Sequence, residues 1–420
     1  MTLRWARTPL RAEIVTVLEY VLMFFVLFYT STWSLFTSAN CNTSIRLGLP
    51  LLCLLIFMRS EKVRYVQWRR LILLAVFLAI YIVATRYNLT RVVLYYFAPM
   101  LLLVAYIGLV ERQEGSVQLL FKLSDIVTVL TAISLFCFLF GTIFHILPGE
   151  STASYSWGGT VRTCHTYYHL FYEAQKINFM GHTFVRNCSI FPEAPGFAIF
   201  LVIATASEVL LRQRPRIWRC ALYVLATVTT FSAKAVVLVA AVFAMRYILM
   251  PSRSEFWRKV KRLLVPVALL GVGAVAAVML WDKMQTVSGF MRLDDVAACI
   301  KTWRTSPIFG TGYWNDESVI PFFSYADRYN NGLSMGMAVV LAQGGLYLLC
   351  MYLIPLVNAI LRARGIYRRM LACFGLMYLA LLFTSNIAYN FLTLFLIAVF
   401  MELGRYGWPE PLVTEEGKDA

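Results

Sequence analysis

The chain has 420 residues, of which 60% are hydrophobic and 14% are charged, with a formal net charge of +16. Its apolar residues form long uninterrupted runs, which excludes a soluble globular domain. The basic residues lie mostly in short segments between these runs, so the positive charge indicates membrane orientation and predicts no nucleic-acid partner.

Twelve apolar runs are candidates for crossing a lipid bilayer, which takes about 20 residues per helix. They lie near residues 14–36, 44–58, 70–86, 91–110, 124–147, 195–211, 217–233, 235–250, 262–281, 331–360, 370–386 and 388–403. Three arginines precede the first run without a small-residue cleavage site after it, so we interpret the N-terminus as a retained signal anchor. The sequence therefore predicts a single all-α polytopic membrane domain over residues 1–420.

The distribution of Lys and Arg predicts the orientation of these spans. A cytoplasmic N-terminus places 26 of the 38 Lys and Arg residues on the inner side, in segments such as RSEKVRYVQWRR and RSEFWRKVKR. Both termini are then cytoplasmic, the second as a tail at 404–420. The inner loops are short and carry no GxxxxGK[ST] motif, so ATP and nucleotide sugars are not expected substrates. We expect the function to lie in two long outer segments, the third loop at 148–190 and the fifth at 282–330.

The third outer loop contains histidines and cysteines that suggest two kinds of site. His165 and His169 are spaced i, i+4 within TCHTYYHLFYEA, which is typical of a zinc-binding helix face. We favour a wet interfacial helix there without a metal. Cys164 and Cys188 are candidates for a disulfide, because this loop would lie on the oxidising side of the membrane. The alternative outer partners are Cys41 and Cys299.

The stretch RNCSIFPEAPGF, residues 186–197, ends this loop and starts the sixth span. Pro192 and Pro195 bracket Glu193, and proline suits the first turn of a helix. A helix N-terminus stabilises a charged carboxylate, so we expect a lowered pKa for Glu193 and a role as a hydrogen-bond acceptor. The alternative is a plain helix cap with Arg186 as its surface partner.

The fifth outer loop contains MRLDDVAACIKTWRTSPIFGTGYW. Its apolar residues recur at helical spacing and predict an amphipathic interfacial helix over 291–304. Arg292 would be a cation in the first turn, against the helix dipole, which favours an anionic ligand nearby. The alternative is an arginine that snorkels to lipid phosphates. The adjacent pair Asp294 and Asp295 would point in different directions, which disfavours a shared metal.

Lys234 lies where two apolar spans meet with almost no loop between them. An ionisable residue at membrane depth is costly and is a functional candidate by default. Its alternative is also a snorkelling side chain. Further candidates for substrate binding are Arg304, Arg162 and His182.

Four segments resemble a known family in their order along the chain. RNCSIFPEAPGFAIFL, TTFSAKAVV, MRLDDVAACIKTWRTSPIFGTG and LSMGMAVVLAQGGLY resemble the bacterial O-antigen polymerase and O-antigen ligase superfamily over residues 185–360. The resemblance implies a GT-C-like glycosyltransferase of the bacterial inner membrane that uses undecaprenyl-diphosphate-linked oligosaccharides at the outer face.

The resemblance also implies roles for individual residues. Arg186, Glu193 and Arg292 match catalytic positions, and Lys234 stands where many members have an arginine that binds the diphosphate. It implies no metal and no other cofactor. By the same analogy, a chain-length regulator is an expected protein partner.

One motif separates the polymerase branch from the ligase branch. Ligases typically carry His-Asn/Ser/Gln, nine residues, then Gly-x-x-Tyr. Ser334, Gly344 and Tyr347 fit this frame, but Leu333 occupies the histidine position, so the resemblance favours a polymerase. A ligase remains an alternative, as does a lipid-linked glycan flippase, although the two halves show no repeat. A polyprenyl-monophosphate sugar transferase is disfavoured, because the first outer loop, TSANCNTS, has no acid.

Overall fold

The computed structural model describes residues 9–29, 41–59, 68–113, 115–148, 150–157, 160–179, 182–250, 254–256, 259–260, 287–324 and 332–406. The helices named below are α1 Pro9–Tyr29, α2 Cys41–Met58, α3 Trp68–Thr85, α4 Leu89–Glu111, α5 Val117–Ile143, α6 Ala194–Leu211, α7 Ile217–Thr229, α8 Ala233–Leu249, α9 Val287–Thr305, α10 Gly336–Arg362, α11 Gly365–Thr384 and α12 Phe391–Tyr406.

Six of the described helices are long and apolar enough to cross a membrane, namely α3, α4, α5, α6, α10 and α11. Shorter apolar helices lie within α2, α7 and α12. A helix satisfies its own backbone hydrogen bonds, which is what a segment in lipid requires. The prediction of a polytopic, mostly helical membrane protein is confirmed in this form, while the predicted span at 262–281 lies outside the described residues.

The helix α6 is the most enclosed of these spans. It is buried along almost its whole length, whereas α3 leaves most of its surface exposed. The helices α5, α7, α8 and α11 pack against it. A charged group at the start of α6 is therefore held within the packed helices rather than on the lipid-facing side.

The third loop forms antiparallel strands, β1 Glu150–Trp157, β2 Thr160–Tyr167, β3 Phe171–Tyr172, β4 Lys176–Phe179 and β5 His182–Val185. One sheet has the order β1-β2-β3, and β4 pairs with β5. In β2, Cys164 and Thr166 are buried while His165 between them is exposed, the two-residue period of a strand. The all-α prediction and the helix predicted over TCHTYYHLFYEA are therefore wrong here, because threonine and aromatic residues favour strands.

Contacts between connecting segments separate the two ends of the bundle. At one end, called the site end, Asn187 N donates to the Thr229 carbonyl at 3.0 Å. At the same end, Gly336 N donates to the Ser385 carbonyl at 3.0 Å. The site end thus joins the loop before α6, the turn between α7 and α8, the start of α10 and the end of α11.

The opposite end, called the basic end, is held by ion pairs. Glu19 in α1 accepts hydrogen bonds from Arg59, Tyr106 and Lys122. Arg219 at the start of α7 pairs with Asp125 in α5 at 2.5 Å. Buried charges such as these are expected to be paired, because an unpaired one is costly in a low-dielectric interior.

The helix α10 is interrupted at Gly345, whose backbone has φ 60° and ψ −168°. The loop at 306–312 occupies the break and takes up hydrogen bonds that a continuous helix would make. Gly312 N donates to the Gln343 carbonyl at 2.9 Å, and Tyr347 N donates to the Ile308 carbonyl at 2.8 Å. A Cβ on Gly345 would lie 2.3 Å from the Ile308 carbonyl oxygen, so only glycine fits.

Candidate functional site

Glu193 immediately precedes α6. Its backbone is extended, with φ −146° and ψ 142°, and its side chain makes no capping hydrogen bond. The amide of Ala194 donates instead to Oε1 of Gln175 at 3.2 Å. The alternative of a plain helix cap is therefore wrong, since the Glu193 side chain bonds none of the free amides and Gln175 satisfies the first of them.

The Glu193 carboxylate lies among three of the predicted cations. Burial raises the pKa of Glu193 above its ordinary value, and the charges of Lys234, Arg186 and Arg292 only partly oppose this shift. The expected lowering by the helix N-terminus is wrong, because loss of hydration outweighs the favourable charges. The structure thus brings together four residues predicted from separate segments of the sequence. We call them the cation cluster.

Arg186 is held by backbone and amide oxygens. Its Nε donates to the Thr230 carbonyl at 2.9 Å, its Nη2 to the Phe231 carbonyl at 3.3 Å and its Nη1 to Gln175 Oε1 at 3.1 Å. Burial lowers the pKa of Arg186, but a guanidinium stays protonated in proteins. These three acceptors are neutral, so they orient the guanidinium without cancelling its charge.

Lys234 and Arg292 both contact the carboxyl end of α11. Lys234 Nζ donates to Ser385 Oγ at 2.5 Å, and Arg292 Nη1 approaches the Thr384 carbonyl at 3.5 Å. Cations are favoured there, because the carboxyl end of a helix carries partial negative charge. Both side chains are half-buried and reach protein groups, so neither alternative of a snorkelling side chain describes these contacts.

The helix α9 confirms the helix predicted over 291–304 but begins earlier, at Val287. Arg292 therefore lies in the second turn rather than the first. One face of α9 carries exposed apolar residues, namely Phe290, Leu293, Ala297 and Ile300. The opposite face is buried and includes both aspartates. This arrangement fits a helix that lies along a membrane surface.

The buried aspartates of α9 bind backbone groups of the following loop. Asp294 Oδ1 accepts from Ser324 N at 2.8 Å. Asp295 Oδ2 accepts from Ser334 N at 2.9 Å and from Ser334 Oγ at 2.5 Å. The two adjacent aspartates thus point in different directions, as expected, and bond different parts of the loop. Asp295 in this way fixes the position of α9 relative to the start of α10.

Of the remaining predicted binding residues, His182 lies near the cation cluster, whereas Arg162 and Arg304 are exposed. His182 begins β5 and its ring is 6.3 Å from that of Phe184, which stacks on Phe231 at 5.8 Å. Through these rings His182 adjoins the turn that holds Arg186. Arg162 is exposed on β2. Arg304 is exposed and twelve residues from Arg292, about 18 Å along the helix axis.

The predicted disulfide between Cys164 and Cys188 is contradicted, because both thiols are free and buried. Residues 171–175 lie between the two cysteine-bearing segments, since Glu173 N donates to the His165 carbonyl and Tyr172 N to the Ser189 carbonyl, both at 2.9 Å. The cysteines are thus two strands apart and cannot bond. Burial raises the pKa of Cys164 to about 11 and of Cys188 to about 12. Cys299 is buried in α9, and the side chain of Cys41 lies outside the described residues.

The predicted histidine pair has no helical geometry. His165 is exposed on β2, and His169 follows in a turn with φ 53°. This described segment is therefore not a helix, so the i, i+4 spacing does not align the two histidines on one face. The zinc alternative has no support there.

Several residues of the site carried no signal in the sequence. Gln175 lies between β3 and β4, yet its single oxygen accepts from both Arg186 and Ala194. Ser385 and Thr384 end an apolar helix, and only the packing of α11 against α8 brings them to the cations. Hydrophobic patterning locates such helix ends but not the neighbours they meet.

The cation cluster has a clear chemical capacity. Three cations and one carboxylate give it a local charge of +2 when all four are ionised. Such a site suits a ligand with two negative charges, such as a diphosphate. Two of the cations are arginines, whose planar forks bind phosphate oxygens in pairs.

No protein-family model matches the chain, and no curated protein is significantly similar to it.

Proposed function

We propose that the chain is a polysaccharide polymerase that transfers an undecaprenyl-diphosphate-linked glycan to an acceptor sugar hydroxyl. The observation that carries this proposal is the convergence of Glu193 with Arg186, Lys234 and Arg292 at the start of α6. These are the residues that the resemblance to O-antigen polymerases singles out.

The proposal places the site end at the outer face of a bacterial inner membrane. Twelve spans with both termini cytoplasmic would bring the basic end to the cytoplasm, as the distribution of Lys and Arg favours. The exposed apolar stripe of α9 would then lie along the outer membrane surface, beside a substrate anchored in lipid.

The three cations have an electrostatic role in this reaction. As the bond between the anomeric carbon and the diphosphate oxygen breaks, its electron pair passes to the diphosphate, which gains negative charge. Arg186, Lys234 and Arg292 are preorganised to stabilise that charge, and electrostatic stabilisation of this kind usually lowers the reaction barrier more than any other effect. Arg186 in particular is oriented beforehand by the Thr230 and Phe231 carbonyls.

Glu193 supplies a base. The acceptor hydroxyl oxygen attacks the anomeric carbon from the side opposite the diphosphate, and its proton passes to the Glu193 carboxylate. A raised pKa makes a carboxylate a stronger base, closer to the match with working pH that general-base catalysis needs. The single displacement inverts the anomeric configuration.

The environment of the ligase frame supports a polymerase over a ligase. Leu333 is buried and bears no base. Ser334 is bound to Asp295, and Tyr347 stacks on Phe77 at a ring distance of 4.2 Å. These contacts indicate that the residues matching the ligase motif serve in packing. The ligase stays an alternative, but one that lacks its characteristic histidine.

A flippase shares one feature with this chain. Transporters often contain interrupted helices at their binding sites, and α10 is interrupted at Gly345. Here the loop at 306–312 fills the break, which favours a fixed structural junction. Purified protein in liposomes separates the two functions, since a flippase moves lipid-linked glycan across the bilayer and a polymerase lengthens it.

The proposal is tested by deleting the gene in its host and resolving the surface glycan by gel electrophoresis. We expect the ladder of chain lengths to collapse to single repeats. The wild-type gene should restore it, and Arg292→Ala should not, although the variant accumulates in the membrane. Arg304→Ala is a matched control on the same helix and should restore the ladder.

Two results would contradict the proposal. An intact ladder in the deletion strain would exclude a polymerase for this glycan. Loss of all attached glycan, with polymer accumulating on its lipid carrier, would identify a ligase instead.

A further inference from the structure

A second polar cluster lies at the site end, where the loop after α9 meets the start of α4 and the break in α10. The Arg91 guanidinium lies 4.3 Å from the centre of the Trp314 ring. Gln343 Nε2 donates to Asp316 Oδ1 at 2.8 Å. We call Arg91, Trp314, Asp316 and Gln343 the Trp314 cluster.

Buried polar atoms without protein partners adjoin this cluster. Among the residues that the structure describes, the Tyr313 hydroxyl and Gln343 Oε1, both in fully buried side chains, have no hydrogen-bond partner. The Tyr389 hydroxyl also has none, and its ring lies 4.4 Å from that of Tyr313. Native proteins leave few such atoms, because each has lost its hydrogen bonds to water without replacing them. Three such atoms in one place mark the interior beside the Trp314 cluster as polar.

The backbone at Trp314 also has an unusual conformation. Trp314 has φ 58°, a left-handed conformation that is unfavourable for a non-glycine residue because its Cβ crowds the backbone. The strain is held by the next residue, since Asn315 Nδ2 donates to the Thr311 carbonyl at 2.9 Å and Oδ1 accepts from Ser318 N at 3.3 Å. Strain maintained in this way is concentrated at binding and catalytic sites.

The charge of the Trp314 cluster separates it from the cation cluster. Arg91 and Asp316 together are neutral, whereas the cation cluster carries an excess of positive charge. A diphosphate is therefore not the ligand that the Trp314 cluster favours. An aromatic face beside a carboxylate, an amide and a guanidinium suits a sugar ring, which presents an apolar face and a rim of hydroxyl groups.

The two clusters are joined by a short segment of chain. Ser385 accepts a hydrogen bond from Lys234, and Tyr389 follows four residues later. Their Cα atoms are at most about 14 Å apart, because an extended chain spans no more than about 3.6 Å per residue. The two clusters therefore border the same short segment, a spacing that suits neighbouring sugars of one glycan.

We propose that the Trp314 cluster binds a neutral sugar ring of the acceptor glycan. That this sugar belongs to the acceptor rests on the proposed polymerase function, whereas the presence of a sugar-binding site rests on the cluster itself. Trp314 would pack against the apolar face of the ring, and Asp316, which is partly exposed and held by Gln343, would bond its hydroxyl groups.

The proposal is tested with full-length protein purified into lipid nanodiscs. The probe is the free repeat-unit oligosaccharide prepared from the host's own surface glycan, and its Kd is measured by saturation-transfer NMR titration. We expect Trp314→Ala and Asp316→Asn each to weaken binding about tenfold, which corresponds to about 1.4 kcal/mol. Trp314→Phe should weaken it less, because an aromatic face remains.

Two controls show where the probe binds. Trp218→Ala removes a tryptophan at the basic end that also lies beside an arginine, Arg219, and it should leave the Kd unchanged. Arg292→Ala should also leave it within about twofold, because the probe carries no diphosphate.

A wild-type protein that does not bind the probe would overturn the proposal. An unchanged Kd in Trp314→Ala and Asp316→Asn would also overturn it, provided that thermal unfolding shows both variants to be folded. Loss of binding in Arg292→Ala alone would overturn it as well. An intact ladder in the deletion strain would remove the polymerase function alone, since the difference in Kd between wild type and Trp314→Ala would stand.

Discussion

At the scale of single residues, Glu193 combines two opposing effects. Burial raises its pKa, and Lys234, Arg186 and Arg292 lower it by less. A carboxylate with a raised pKa holds its proton to a higher pH than usual. Activity that needs the ionised form is therefore lost as pH falls through this raised value, at a higher pH than an ordinary glutamate would give.

We predict that the rate of glycan elongation declines on the acid side with a pKa above that of a free glutamate. Glu193→Gln should lower the rate about hundredfold and abolish this acid limb, because it removes the base but keeps the shape. The measurement is the elongation rate of purified protein against pH. An unchanged rate in Glu193→Gln would contradict the role of base, and an unchanged acid limb would assign the titration to another group.

The roles of single residues were only partly predictable from the sequence. The charge and position of Arg186, Lys234 and Arg292 marked them as candidates, and the structure brings all three to one carboxylate. The pKa shift of Glu193 was predicted with the wrong sign, because the sequence shows the helix N-terminus but not how deeply the side chain is enclosed. The pairing of Cys164 with Cys188 failed for a similar reason, since an intervening strand is not visible in cysteine spacing.

At the scale of elements, the junction between α10 and the loop at 306–312 fixes the geometry of the site end. Gly345 in the break has φ 60° and no space for a Cβ. Gly365 at the start of α11 has φ 58° and nothing within 4 Å of a built Cβ. The two glycines share a positive φ and differ in packing, which makes them a useful pair for comparison.

We predict that Gly345→Ala lowers the free energy of unfolding by more than about 2 kcal/mol, because backbone strain adds to a clash with the Ile308 carbonyl. Gly365→Ala should cost only about 1 kcal/mol, for strain alone. Thermal unfolding of the purified variants in one detergent measures both. Equal losses would mean that the loop does not pack into the break as described.

The elements themselves were predicted to different degrees. Apolar runs located α4, α5, α6, α10 and α11 because length and hydropathy define a span. The strands of the third loop were missed because TCHTYYHLFYEA fits a helical period as well as an alternating one. The break in α10 was also missed, since its cause is the close approach of a loop distant in sequence.

At the scale of the whole molecule, the two ends of the bundle differ in chemistry. The basic end contains paired charges such as Glu19 with Arg59 and Lys122. The site end contains the cation cluster and the Trp314 cluster. We propose that the site end catalyses glycan elongation and that the cation cluster stabilises the departing diphosphate.

The most direct test is elongation by the purified protein supplied only with the lipid-linked repeat unit from its host. We predict that wild type produces a ladder of products without nucleotide or added metal. Arg292→Ala should slow elongation by about 10²- to 10³-fold, the usual cost of removing one preorganised charge partner, and Arg292→Lys should recover part of the rate. Full activity of Arg292→Ala, or no elongation by a folded wild-type protein, would contradict the account.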